Sequence, residues 1–211
     1  MKFSRTLGAA AAAVAVLASS GCAPLLVGGA VAGGAMVAVD RRSPGIQLED
    51  QSIELRLMQQ LGAKFPGDKG HISATSYNRR VLLTGEVADE QGKAEAQSTA
   101  EKSESVVAVM NELVIGAPSS LANRNFDTAL TSKVLAALLQ AKDVPSGTIK
   151  VVSERAVVYL MGRVTQAEGE ASARAASRVS GVRQVVKYFD YLTEQEAAKF
   201  ASTPPAETPP K

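Results

Sequence analysis

The chain has 211 residues, enough for one or two small domains, with 23 Lys+Arg, 21 Asp+Glu and no Trp. Lys2 and Arg5 lie in a segment expected to be removed, which leaves 21 basic and 21 acidic side chains in residues 22–211. That balance argues against a nucleic-acid partner, which needs a positive excess, and the sparse aromatics (4%) leave the core to Val, Leu, Ile and Ala.

Lys2 and Arg5 precede an uncharged run, Leu7 to Ala18, and Ser19-Ser20-Gly21 places small residues before Cys22. Charge, apolar stretch and small residues in that order predict a secretory signal peptide over 1–21, too short to span a bilayer. Residues 24–39 form a second uncharged run, rich in Gly and Ala. Its 16 residues fall short of the roughly 20 needed to cross a membrane, so 22–45 reads as a tether that ends in the polar turn Asp40-Arg41-Arg42-Ser43-Pro44-Gly45.

Beyond the tether the sequence repeats with a shift of 77 residues. Leu83-Thr84-Gly85-Glu86-Val87 returns as Leu160-Met161-Gly162-Arg163-Val164, and Asp50, Ile53, Leu57 and Leu61 return as Asp127, Leu130, Val134 and Leu138. Ile53, Leu57 and Leu61 recur every four residues, one face of a helix, with Asp50 as its expected N-cap and Asp127 as the cap of its counterpart. Strands are predicted at Ile72–Tyr77 and Val81–Val87 around an Asn78-Arg79 turn. A helix at Asp89–Lys102 and a strand at Val106–Ile115 follow. The second unit repeats the order at Thr148–Ser153, Val157–Val164, Gln166–Val179 and Val182–Leu192. Gly85 and Gly162 are expected where a helix packs close over a strand.

The fold class is therefore α+β: two tandem α-β-β-α-β domains, each a three-stranded sheet with two helices on one face. The expected units are 46–117 and 126–192, joined by a linker at 118–125. A Pro-rich tail at 193–211 is expected to lack regular structure.

Two such units with Leu-x-Gly-x-Val before the second helix resemble BON domains. Ser19-Ser20-Gly21-Cys22 resembles the lipobox of bacterial lipoproteins, although Ser19 stands where that motif favours Leu. The resemblance implies diacylglycerol on Cys22, with palmitate-type acyl chains. Each buried methylene contributes about 0.8 kcal/mol, so two or three chains anchor stably. Ala23, in place of Asp, implies the outer membrane, with the protein facing the periplasm.

Little in the sequence suggests catalysis. His71 is the one histidine, so neither a zinc site with several His or Cys ligands nor a triad independent of His71 can be built. The glycines match no nucleotide fingerprint. No cofactor or metal is expected and the chain reads as a non-enzyme.

Charge separates the two units: 46–117 has 7 basic and 11 acidic residues, whereas 120–192 has 10 basic and 6 acidic. Beside a membrane the electropositive unit would face anionic headgroups, at about 1 kcal/mol per basic residue. The family resemblance implies phospholipid binding (phosphatidylglycerol, cardiolipin) by the first helix of the second unit. It points to Phe126, Ala129, Lys133, Val134 and Leu135, with Ala129 where the family has Trp. It also implies support of outer-membrane integrity and a place at the division site. The alternative is a periplasmic scaffold in which exposed strand edges and the acidic first unit hold an envelope protein.

Overall fold

The computed structural model describes residues 40–201. The expectations for the signal peptide, Cys22, most of the tether and the prolines at the C-terminus lie outside them.

The first helix, α1 (Pro44–Lys64), begins earlier than its apolar stripe. Pro44 occupies the first helical position, and the Ser43 side chain accepts from the Ile46 N–H. A short 3-10 turn leads to β1 (Gly70–Tyr77), and β2 (Arg80–Val87) pairs with it antiparallel. Asn78 and Arg79 form the turn with φ of 52° and 62°, the doubly positive geometry that matches strand twist. Helix α2 (Glu90–Glu101) is capped by Asp89. It returns the chain to β3 (Ala108–Asn111) and β4 (Val114–Ile115), both parallel to β2.

The second unit has α3 (Leu121–Gln140), β5 (Ile149–Glu154), β6 (Val157–Val164), α4 (Gln166–Ser177) and β7 (Gln184–Tyr191) in the same order. Each sheet places its second strand in the middle, paired antiparallel on one side and parallel on the other. The α+β class and the duplicated α-β-β-α-β order are as expected.

Several local expectations are corrected. Asp50 and Asp127 are not N-caps. They lie inside α1 and α3, whose caps are Ser43 and Ser120, and both are buried. The Asp50 carboxylate accepts from the Asn78 and Arg79 N–H groups at 2.8 and 2.7 Å. Asp127 does the same for Arg155 and Ala156 at 2.8 and 2.9 Å. Each aspartate satisfies the inward N–H groups of its own hairpin turn, so it belongs on the core stripe. Gly85 and Gly162 are crowded by strand backbone rather than by a helix. A Cβ at Gly85 would meet the His71 carbonyl oxygen at 1.9 Å, and one at Gly162 the Thr148 carbonyl oxygen at 2.8 Å.

The third strand of the first unit is split. Asn111 Oδ1 takes the Leu113 N–H, and Leu113 turns into the core. Helix α3 starts at Leu121, inside the stretch expected to be linker. The C-terminal segment adds α5 (Glu194–Ala201), where a tail without structure was expected. Thr193 and Glu196 cap that helix reciprocally, and Ala197 is buried.

Each unit packs its own helix–sheet core: Ile53, Leu57, Leu61, Val81, Leu83 and Val87 in the first, and Leu130, Val134, Leu138, Val158, Leu160 and Val164 in the second. A third cluster joins the units. Tyr77 and Leu82 meet Tyr159 and Met161 there, with Met110, Val152, Val186 and Tyr188 around them. These side chains come from the alternate strand positions, the faces without helices.

Polar contacts ring the joint. Tyr77 Oη donates to the Thr148 carbonyl at 2.9 Å and Asn78 to Asp190 at 3.0 Å. Tyr188 and Tyr159 donate to Glu112. The entry segment is fixed as well, because Arg41 grips Glu168 through two bonds of 2.6 and 2.7 Å.

Candidate membrane-facing surface

Helix α3 has three faces, set by about 100° of rotation per residue. Leu130, Val134 and Leu138 point into the second core. Val134 is 0% exposed, which corrects its expected place in a lipid-contacting set: it can reach a lipid only if the helix leaves the sheet. The disagreement between repeat and resemblance at Val134 resolves in favour of the repeat, because Val134 takes the place of the buried Leu57.

Phe126, Ala129 and Lys133, at spacings of three and four, lie along one flank and are exposed. Phe126 is 48% exposed, and its ring rests on the α4–β7 loop. A Cβ at Gly181 would come within 3.1 Å of Phe126 Cζ, and Gly181 has φ of 101°. Glycine is needed there for both reasons. Arg178 and Arg183 stand on the two sides of Gly181 in that loop, and both are exposed. Arg183 also lines a cavity of about 270 Å³ with Phe126, Asn123 and Arg155.

Leu135 is not brought to this flank. Two residues on from Lys133, it is turned by about 200° and lies on the β5 side of the helix. Thr131, on that same side, donates to Ser153 Oγ at 2.8 Å. Leu135 is 38% exposed and Leu139 is 72% exposed, so an apolar flank lies opposite the aromatic and cationic one. The five expected residues therefore divide into Phe126, Ala129 and Lys133 on one side, Leu135 on the other, and Val134 inside.

Arg178 and Arg183 were missed by sequence reasoning, because the loop that carries them meets Phe126 only through the fold. The positive excess of the second unit was their signal.

A titratable cluster lies beneath α3. Glu86 is fully buried, accepting from Arg155 Nη1 at 3.1 Å and from the Ser119 N–H at 3.0 Å. Glu154 borders a cleft of about 460 Å³ with Arg124, Asp127, His71 and Ser153. Partial burial, with Glu86 and Asp127 nearby, pushes its carboxyl up to about 7. Burial and Arg124 lower the His71 imidazole below its usual value. Among the described residues no group of three His, Cys, Asp or Glu side chains could hold a metal ion, and no helix is long and apolar enough to cross a membrane.

Comparison with known proteins agrees with this architecture. The family described as BON domain matches residues 49–117 and again 126–193. The chain is 38% identical over 175 residues to the outer membrane lipoprotein DolP of Haemophilus influenzae, covering 82% of this chain and 89% of that one. It is 29% identical over 155 residues to the 21 kDa hemolysin of Actinobacillus pleuropneumoniae, covering 73% and 80%. It is 33% identical over 117 residues to the osmotically-inducible protein Y of Escherichia coli, covering 54% and 58%.

Proposed function

The chain belongs to the BON-domain family and carries the domain twice, and from that premise we propose that it is a non-enzymatic outer-membrane lipoprotein. It is acylated at Cys22, faces the periplasm, and binds anionic phospholipid through its second domain. It supports outer-membrane integrity with a place at the division site, as the family resemblance implies. The name of the Haemophilus relative supports the envelope and anchor parts of this reading.

One observation carries the lipid part. The flank of α3 bearing Phe126, Ala129 and Lys133 is exposed, and it lies beside the loop that bears Arg178 and Arg183. An aromatic ring amid cationic side chains suits the headgroup region, where rings settle at the interface and basic groups are drawn to anionic phosphate. Phosphatidylglycerol and cardiolipin are the ligands of that charge.

The test uses the full chain in zwitterionic detergent micelles, titrated with phosphatidylglycerol and separately with phosphatidylcholine. Amide shifts at residues 126–133 and 178–183 with the anionic lipid, and none with the zwitterionic one, are expected. Equal responses to both lipids, or shifts confined to other elements, would overturn the assignment.

A further inference from the structure

We propose that the first repeat captures an extended segment of another protein as an added strand on the free edge of β1. This goes beyond the phospholipid reading, since it concerns the other repeat and a different class of ligand.

The edge follows from the hairpin. Its two-residue turn makes Tyr77 and Arg80 a hydrogen-bonded pair. Alternation then turns the N–H and C=O of Ser76, Ala74 and Ile72 away from β2. Ser76 shows the direction: its N–H donates to Glu54 Oε1 at 2.7 Å and its carbonyl accepts from Lys150 Nζ at 3.1 Å. Glu54 and Lys150, themselves paired at 2.6 Å, thus close one end of the edge. The outward groups of Ala74 and Ile72 meet no hydrogen-bond partner among the described residues.

Beside this open stretch runs a groove of about 610 Å³, lined by Gln51, Glu54, Leu55 and Met58 of α1 and by His71 to Ala74 of β1. Leu55 is 57% exposed and Met58 is 63% exposed. The fold does not require the Leu55 part of this apolar wall. At the repeat-equivalent place of Leu55 the second unit has the polar Ser132, whereas at that of Met58 it has Leu135, which is also apolar and exposed. The same architecture forms with a polar residue in place of Leu55.

The chemistry of the floor selects the occupant. Paired N–H and C=O groups repeat every second residue, about 7 Å apart, and a polypeptide strand offers the matching set. An acyl chain would leave them unpaired. Main-chain bonds would supply affinity, and contacts with Leu55 and Met58 would select apolar side chains at alternate positions. The first unit has 11 acidic and 7 basic residues, which favours a segment free of acidic side chains.

To test this, the full chain in detergent micelles is panned against displayed random dodecapeptides, and an enriched peptide is titrated while amide resonances are followed. Enriched sequences should alternate apolar residues and avoid Asp and Glu. Shifts should centre on residues 70–75. Ala74→Pro should weaken the peptide at least tenfold. Leu55→Ser, which installs the second unit's own residue and leaves the edge intact, should do the same with the melting temperature unchanged.

The proposal is overturned by absence of enrichment, by peptides that shift α3 instead of β1, by phosphatidylglycerol producing the β1 shifts, or by sedimentation showing that this edge pairs two copies of the chain. Phosphatidylglycerol titration of α3 in the Leu55→Ser chain reports on the lipid reading separately.

Discussion

At the residue scale, buried carboxylates tie helix to hairpin and hairpin to neighbour. Asp50 and Asp127 stand in for backbone acceptors that a tight turn cannot supply, which is why each lies three residues before the first apolar member of its stripe. Glu154 is the strained case: its carboxyl is pushed up to about 7 by burial beside Glu86 and Asp127. Its native value lies above the ordinary 4.5, so the unfolded chain ionises first. Its contribution to stability therefore falls as pH rises from about 4.5 to about 7, and the loss is complete above that. Thermal melts should show Glu154→Gln more stable than the parent at pH 8, with the advantage gone near pH 4.5. A constant difference across that range would contradict the cluster.

The two repeat-equivalent glycines should separate at this scale as well. Gly85 has φ of 112° and no room for a Cβ, whereas Gly162 lacks the positive φ and its clash is milder. Gly85→Ala should cost about 3 kcal/mol or more in urea unfolding, and Gly162→Ala clearly less.

At the scale of the element, α3 keeps a buried stripe apart from two exposed flanks. Its buried stripe was readable from the fourfold spacing of Leu130, Val134 and Leu138. The division of the other positions into two flanks was not, because it depends on where β5 and the α4–β7 loop meet the helix. Lys133→Glu removes one positive charge and adds a negative one. At about 1 kcal/mol for each, binding to phosphatidylglycerol vesicles, measured on chains blocked from acylation by Cys22→Ala, should weaken roughly tenfold or more. Ala129→Trp, which restores the ring the family resemblance implies, should strengthen it. Leu135→Ser, on the opposite flank, should change it little.

At the scale of the whole molecule, the two units share the cluster of Tyr77, Leu82, Tyr159 and Met161. The buried Glu86 of one unit is held partly by Arg155 of the other. Calorimetry should therefore show one unfolding transition rather than two. Glu86→Ala should reduce the unfolding free energy by about 2 kcal/mol by leaving Arg155 and the Ser119 N–H without their acceptor. Two resolved transitions in the parent chain would mean that the shared cluster does not couple the repeats.

The order of elements, the duplication, the helix cores and the opposite charges of the two units were determined by the sequence itself, because each rests on local periodicity or on counting. The joint between the helix-free faces was decided by tertiary structure, and so were the loop arginines beside Phe126 and the open edge of β1 next to Leu55 and Met58. These are contacts between residues far apart in the chain, made by side chains of ordinary strand and loop composition. Nothing in their spacing distinguishes a strand face turned to a partner from one turned to water.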